Sequence, residues 1–464
     1  MPGFDEASER DMILFVGSYL STQQDSLKKL SSVLGKNLQA CVLLDITQPA
    51  AKLNKAAADN KTTILECDFS SHVAIQKILL PYKRRLLAVT CRAEKNIPLL
   101  HKIIPHVPYI NTPTELSLDW TTNKIRMRQM LRSFDKTISP KFAVVHDDSV
   151  ETMDRVEKQV GFPLIIKPAG LAASLLVSLC YHREELEANL HNTVKKINKI
   201  YKKKSGRGEP QILVEEFMEG AMYSIDSYVN QRGIVYHTPL VHVRTGRSVG
   251  FDDFFGYARL TPVKLKPHKV EAAGKVAEKA IKALNLRSTT CHIELMKTED
   301  GWKVIELGPR IGGFRDEMYK LSYGIDHATN DILIRIPKKP ILSKKVRGYT
   351  AVLQFYPPKK GRLAKLEGIN KTRQLESFSR INIKKKVSDL CDFARNGDDP
   401  IFDIVLFNKQ RSRLLADIRR LEQTVKIQIR QPKRSVGIIQ TPVKITGYGK
   451  QTNQAKRQKD KVGA

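Results

Sequence analysis

Four short apolar runs open the chain. MILFV (12–16), ACVLLDI (40–46), the TTILE run that begins at Thr62, and LLAVT (86–90) read as strands, and between the first two Leu27, Leu30 and Leu34 recur at helical spacing. Strands alternating with amphipathic stretches describe a doubly wound α/β unit with a parallel sheet. Gly17 stands alone after the first strand, without the G-x-G-x-x-G spacing that would support a dinucleotide site. HVPYINTPTELSLDW (106–120), with two prolines and several turn formers, marks a boundary. Beyond it come a helix TNKIRMRQMLRSF, the strand KFAVVH (141–146), the strand PLIIK ending at Lys167-Pro168, a small-residue turn AGLAAS (169–174), the strand LLVSLC (175–180), and a helix from Glu184 that buries Leu186, Leu190, Val194 and Ile197. ILVEEFMEG (212–220) then runs into the alternating strand AMYSIDSYV.

Cys291 to Gly313, CHIELMKTEDGWKVIELGPRIGG, carries the most specific pattern. Cys291, Ile293 and Leu295 alternate with His292, Glu294 and Met296, and Ile305 and Leu307 alternate with Val304 and Glu306. Two half-buried strands joined by the three-residue loop Glu299-Asp300-Gly301, with glycine left-handed, are expected. That register pairs Met296 with Val304 and sets Glu294 against Glu306. Directly opposed Cβ atoms lie roughly 4.5–5.5 Å apart, so two carboxylates there need a cation between them. Mg²⁺ fits, since it takes oxygen ligands and is usually held by one or two carboxylates. Arg310, just beyond, could address the same phosphates with its planar fork of donors. A surface hairpin with both glutamates in solvent is the other reading.

Other charged positions have a local logic. Lys124 in the first turn of its helix opposes the helix dipole, which a bound anion would explain, as would plain solvation. A strand ending in Lys167 before small residues resembles a phosphate-covering turn, because backbone N–H groups can there approach oxygens closely. Acidic residues inside the strand ILVEEFMEG need partners, either a purine amine or a basic residue across the sheet.

Composition narrows the class. At 464 residues and 41% hydrophobic content the chain can hold two to four packed units. No apolar run approaches the ~20 residues of a membrane span, and the acidic, polar start is unlike a secretory signal, so a cytoplasmic location is expected. Cys41, Cys67, Cys91, Cys180, Cys291 and Cys391 lack metal-ligand spacing and read as buried free thiols. The 79 basic against 48 acidic residues leave a net charge of +31, which attracts polyanions and is silent about fold. Seven basic residues crowd into 195–207 around Tyr201, and a basic tail, expected to be disordered, follows residue 430. Nucleic-acid contact through these segments is a less favoured alternative to solvation.

The strand-lysine, the small-residue turn, the EEFM segment and the GPR hairpin, in that order, resemble the ATP-grasp superfamily and particularly its carboxylate–amine ligases. The resemblance covers about 106–345 and implies an α/β and α+β architecture. Its parts would be a Rossmann-like parallel-sheet domain (1–110), a two-lobed ATP-grasp domain (111–345, with a lid near 140–218), a small C-terminal α+β lobe (346–430) and the tail (431–464). It implies that Lys124 and Lys167 contact ATP phosphates under a lid turn containing Gly170 and Ser174. Glu215, Glu216, Phe217 and Met218 would form the adenine hinge, Glu294 and Glu306 would bind Mg²⁺ or Mn²⁺, and Arg310 would stabilise the phosphoryl in transit with Lys167. The implied activity is ATP-dependent joining of a small-molecule carboxylate to an amine or thiol through an acylphosphate, with an amino acid or peptide among the substrates and a homodimer compatible with the family. The acceptor pocket is expected beside Arg310 and the Gly312–Arg315 turn, where Arg315, Arg244 and His242 would hold an anionic substrate. Three departures stand out: Gly308 where many relatives carry a metal-binding asparagine, Leu176 where glycine is usual, and Met222 where an acid often binds ribose, with Glu219 or Asp226 as substitutes. They motivate a catalytically weakened nucleotide-binding protein as one alternative, and the charge motivates a polyanion-binding protein as another.

Overall fold

The computed structural model describes residues 10–18, 21–47, 62–171, 175–204, 209–251 and 253–431. Ser174 and the expected basic tail beyond residue 431 lie outside the described residues.

β1 (Met12–Val16), β2 (Gln39–Asp45), β3 (Thr63–Cys67) and β4 (Leu86–Thr90) form a parallel sheet in the order β3-β2-β1-β4. Both faces of β1 are buried, as a parallel sheet covered on two sides requires. Met12, Leu14 and Val16 pack with Ile75, Leu79 and Leu100. Ile13 and Phe15 pack with Leu27 and Leu30, and with Ile332 and Leu333 from the much later helix His327–Arg335. Buried polar contacts pin that helix in place. The Thr90 hydroxyl donates to Asp331, Thr290 Oγ1 donates to Asp331 Oδ1 at 2.6 Å, and Arg335 Nη2 reaches the same carboxylate at 3.0 Å.

A second, antiparallel sheet comprises β5 (Phe142–Val145), β6 (Leu164–Pro168), β7 (Ser178–Cys180) and β8 (Ile212–Glu216), in the order β5-β8-β6-β7. Leu164, Ile166 and Val214 face the helices Val150–Gln159 and Arg183–Lys204 through Met153, Val156, Leu186 and Leu190. Strand alternation therefore turns Ile165, Lys167 and Glu215 to the opposite face.

That face looks onto a large antiparallel sheet. β9 (Ala221–Val229), β10 (Val235–His237), β11 (Val241–Thr245), β12 (Gly256–Thr261), β13 (Thr289–Thr298) and β14 (Gly301–Gly308) occupy one part of it. Beyond them come β15 (Tyr349–Phe355), β16 (Gly361–Glu367), β17 (Phe378–Ile383), β18 (Leu390–Cys391), β19 (Phe402–Asn408) and β20 (Lys426–Arg430). The large sheet runs β14-β13-β9-β11-β12-β15-β19-β17, with β10 on β9, and β18-β16-β20 form a separate sheet. Strands after residue 345 thus split between the two. β15 pairs with β12 and covers an edge that would otherwise present unpaired backbone groups.

The core face of the large sheet presents Tyr223, Ile293, Leu295, Val304 and Leu307 to Ala273, Ala277 and Ile281 of the helix Pro267–Ala283, and to Met127 and Leu131 of the helix Lys124–Phe134. Glu294 does stand opposite Glu306, but the rest of the hairpin departs from the expected register. Leu295, not Met296, pairs with Val304, and Met296 pairs with Lys303. The connection is the two-residue Glu299-Asp300, because Gly301, at φ +125°, already pairs with Thr298. Ile305 is the extra residue of a β-bulge. A bulge advances the alternation by one, so Val304 and Leu307 enter the core while Ile305 and Glu306 share the opposite face.

Candidate active site

Asn123 caps the helix that begins at Lys124, its Oδ1 accepting from the amides of Ile125 at 3.0 Å and Arg126 at 3.2 Å. The cap fixes the helix start and so aims Lys124 across the gap between the sheets. Its Nζ lies 2.8 Å from the Leu171 carbonyl and 3.0 Å from Glu306 Oε1. The unfavourable dipole position is thus offset by anionic and carbonyl oxygens of the protein itself.

Lys167, on the inner face of β6, pairs with Glu215 Oε2 at 2.7 Å. Arg128, one turn beyond Lys124 and 1% exposed, grips the same carboxylate from the other side, with Nε 2.6 Å from Oε1. Burial pushes the Glu215 carboxyl up, but Arg128 and Lys167 outweigh it and hold it at about 2. Arg128 also donates to the carbonyls of Val304 at 2.9 Å and Ile305 at 2.5 Å. The guanidinium therefore satisfies oxygens at the bulge and ties it to the end of β8. The partners of the Glu215 side chain are basic residues. Glu216 is held by Lys303 Nζ at 3.3 Å and by the Lys141 amide at 3.1 Å.

Between the sheets lies a cavity of about 170 Å³. Lys124, Lys167, Glu215, Glu216, Phe217, Met218, Glu294 and Glu306 all line it. Its apolar walls come from both sheets: Ile165, Leu175 and Val177 on one side, Met222, Met296 and Ile305 on the other, with Phe254 beside Phe217 at a ring separation of 6.3 Å. The lining therefore combines basic and acidic side chains with apolar ones, as ligand pockets do.

Gly170 and Arg310 stand outside that lining. The Gly170 amide donates to the Tyr201 hydroxyl at 2.7 Å. Arg310 Nε contacts Glu94 Oε2 at 2.6 Å, a residue just beyond β4. The Glu94 carboxylate overlies Gly308, where an added Cβ would lie 3.1 Å from Glu94 Oε2. Leu176 adopts φ +54°, the left-handed region that favours glycine and strains a leucine.

Of the three residues expected to hold an anionic substrate, Arg315 alone lies on the Glu294 side of the sheet, and it does not line the cavity. Arg315 is 2% exposed and reaches Ser224 Oγ at 2.7 Å, directly across from Glu294. His242 and Arg244 flank Val243 and share the face of Tyr223, the opposite side of the sheet from Glu294. His242 lies against the Tyr223 ring at 5.0 Å, and Arg244 reaches Glu422 at 3.7 Å beside a separate cavity of about 510 Å³. Asp226 is fully buried against two histidines, which removes it as a ribose contact.

Among the described residues no group of three or more His, Cys, Asp or Glu side chains is arranged to hold a metal ion. The two opposed glutamates nevertheless fit Mg²⁺, which is usually held by one or two carboxylates and completed by water and phosphate. Burial raises the Glu294 carboxyl, and the His292 contact with the Arg310 and Arg315 charges outweighs it, keeping Glu294 ionised and able to ligate.

Two facing sheets with lysines and carboxylates between them define an ATP-grasp module, and residues 160–317 match the ATP-grasp domain family. Residues 160–317 thus carry an ATP-grasp domain, and the chain is similar to the carboxylate–amine ligases of that superfamily. Among sequence relatives, an uncharacterized protein of Sinorhizobium fredii is 25% identical over 68% of this chain and 62% of its own length. The alanine–anticapsin ligase of Bacillus amyloliquefaciens is 28% identical over 37% of this chain and 38% of its own. The chain thus spans less than two thirds of these relatives. Among solved structures, an L-amino acid ligase from Bacillus licheniformis aligns at a TM-score of 0.72 with 16% identity, covering 91% of this chain and all of the other. An N5-carboxyaminoimidazole ribonucleotide synthetase solved as an ADP complex aligns at 0.64 with 13% identity, covering 89% and 96%.

Proposed function

We propose that the protein is an ATP- and Mg²⁺-dependent ligase that joins a small-molecule carboxylate, an amino acid or peptide among them, to an amine or thiol. The observation that carries this reading is the convergence of Lys124, Lys167, Glu294 and Glu306 on one cavity between two sheets. Phosphoryl transfer depends on positioning and charge neutralisation more than on covalent help from the protein. Lys124 and Lys167 supply positive charge to the cavity, and Ile165, Met218, Met222 and Met296 provide apolar surface for a base. Glu294 and Glu306 would hold Mg²⁺, which supplies charge neutralisation on the phosphates when bound, and Mn²⁺ has the same ligand preference. The substrate carboxylate attacks the γ-phosphorus, a P–O bond forms, the bond to ADP breaks, and an acylphosphate results. The nucleophile then forms its bond to the acyl carbon, loses a proton, and expels inorganic phosphate.

Arg310, two residues past Gly308, would turn from Glu94 toward the transferring phosphoryl. The names of the aligned L-amino acid ligase and alanine–anticapsin ligase favour an amino-acid substrate. A second reading, nucleotide binding with weakened turnover, draws on Leu176 at φ +54° in the lid turn and on the bare Gly308. ADP release over mixtures of L-amino acids decides between them. The ligase reading expects substrate-stimulated release, reduced at least about 100-fold by Glu306→Gln. Calorimetric ATP binding with no stimulation by any mixture would favour the second reading.

A further inference from the structure

Asp226 sits on β9 directly across from His292 of β13 and has no solvent exposure. Its Oδ1 accepts from His292 Nδ1 at 2.6 Å, and its Oδ2 accepts from His327 Nε2 at 2.6 Å and from the Gly312 amide at 2.8 Å. An ionised carboxylate only accepts, so both imidazoles present N–H groups to it. The other nitrogen of His327 is hydrogen-bonded with the Tyr228 hydroxyl. The other nitrogen of His292 lies 3.6 Å from Glu294 Oε1. A Cβ on Gly312 would come within 2.4 Å of His292 Nδ1 and 2.7 Å of Arg315 Cγ, so the turn after Arg310 rests directly on the imidazole.

We infer that Asp226 is a positioning residue that sets two parts of the site at once: Glu294, through His292, and the Arg310–Gly313 turn, through the Gly312 amide. Neither Asp226 nor His292 lines the nucleotide cavity, so each acts on the ligand only through another group. A histidine fixed by a carboxylate on one ring nitrogen presents its other nitrogen in one orientation, and such outer contacts tune neighbouring ligand groups. The inference rests on the proposed metal role of Glu294. The competing explanation is that Asp226 merely anchors the helix that starts at His327.

Asparagine places its amide near the Nδ1 position of histidine and has nothing at Nε2. His292→Asn therefore preserves the contact to Asp226 while removing the one to Glu294. The readout is free Mn²⁺ by electron paramagnetic resonance in the presence of a non-hydrolysable ATP analogue, with the thermal midpoint measured alongside. His292→Asn and Asp226→Asn are expected to weaken Mn²⁺ binding about 10-fold or more. His327→Gln is expected to lower the midpoint and leave Mn²⁺ affinity within about twofold, the size of a purely structural effect. Wild-type Mn²⁺ affinity in His292→Asn overturns the inference, as does an equal loss in His327→Gln. Should Asp226→Asn fail to fold, His292→Asn decides alone. A wild-type chain that binds no Mn²⁺ with nucleotide refutes the ligase reading itself and this inference with it.

Discussion

Glu215→Gln tests how the two sheets are joined. In the native protein the Glu215 carboxylate lies between Lys167 at 2.7 Å and Arg128 at 2.6 Å, with all three largely out of water. Glutamine has nearly the same shape and no charge, so the change leaves two buried cations facing each other. Breaking a buried pair by removing one partner costs about 3–5 kcal/mol. The depressed Glu215 carboxyl points in the same direction. A carboxyl held at about 2 instead of 4.5 contributes roughly 3 kcal/mol of stability at neutral pH. Because its folded value is depressed, that contribution is complete above about pH 5 and disappears as the pH falls through 4.5 toward 2. Trp120 and Trp302 both belong to the cluster that packs against the helix carrying Arg128, so their fluorescence follows this region. Urea unfolding at pH 7 should place Glu215→Gln about 3–5 kcal/mol below wild type, and the variant should lack that component of the acid loss. A variant within about 1 kcal/mol of wild type, or one that keeps the full acid slope, would mean that the Arg128–Glu215–Lys167 cluster does not hold the sheets together.

Two further substitutions probe backbone constraints. Leu176→Gly relieves a left-handed conformation at a cost in unfolded-chain entropy, so stability should rise by up to about 1 kcal/mol or stay level; a clear loss in chemical denaturation would show that the leucine side chain matters more than its strained φ. Gly220→Ala would put a Cβ 2.1 Å from the Lys297 carbonyl oxygen at φ +149°, so β9 and β13 must separate locally. A loss of at least about 2 kcal/mol is expected, and an unchanged thermal midpoint would refute the close approach.

Local periodicity carried much of the site. Alternation in CHIELM and KVIELG put Glu294 and Glu306 opposite each other, and PLIIK showed a strand ending in Lys167 before a small-residue turn, while the face that Lys167 occupies came from the structure. The acid within ILVEEFMEG was readable as a group needing a partner, and the cation that answers it belongs to the same hairpin-facing helix as Lys124. Arg128 itself was missed. The usable signal was its place among Ile125, Met127 and Leu131 on a buried helix face, where an arginine must have a partner.

The sequence by itself determined that these segments are strands and that the two carboxylates lie on facing strands, because these follow from side-chain spacing within a few residues. Only the tertiary structure decided the Ile305 bulge, the burial of Asp226 between two histidines, the pairing of Arg310 with Glu94, the turning of Arg244 and His242 to the far face, and the extension of the large sheet by β15, β17 and β19. Each of these joins residues distant in the chain. Their partners are chosen by the shape and charge of whatever surface folding brings alongside, and no local repeat encodes that choice.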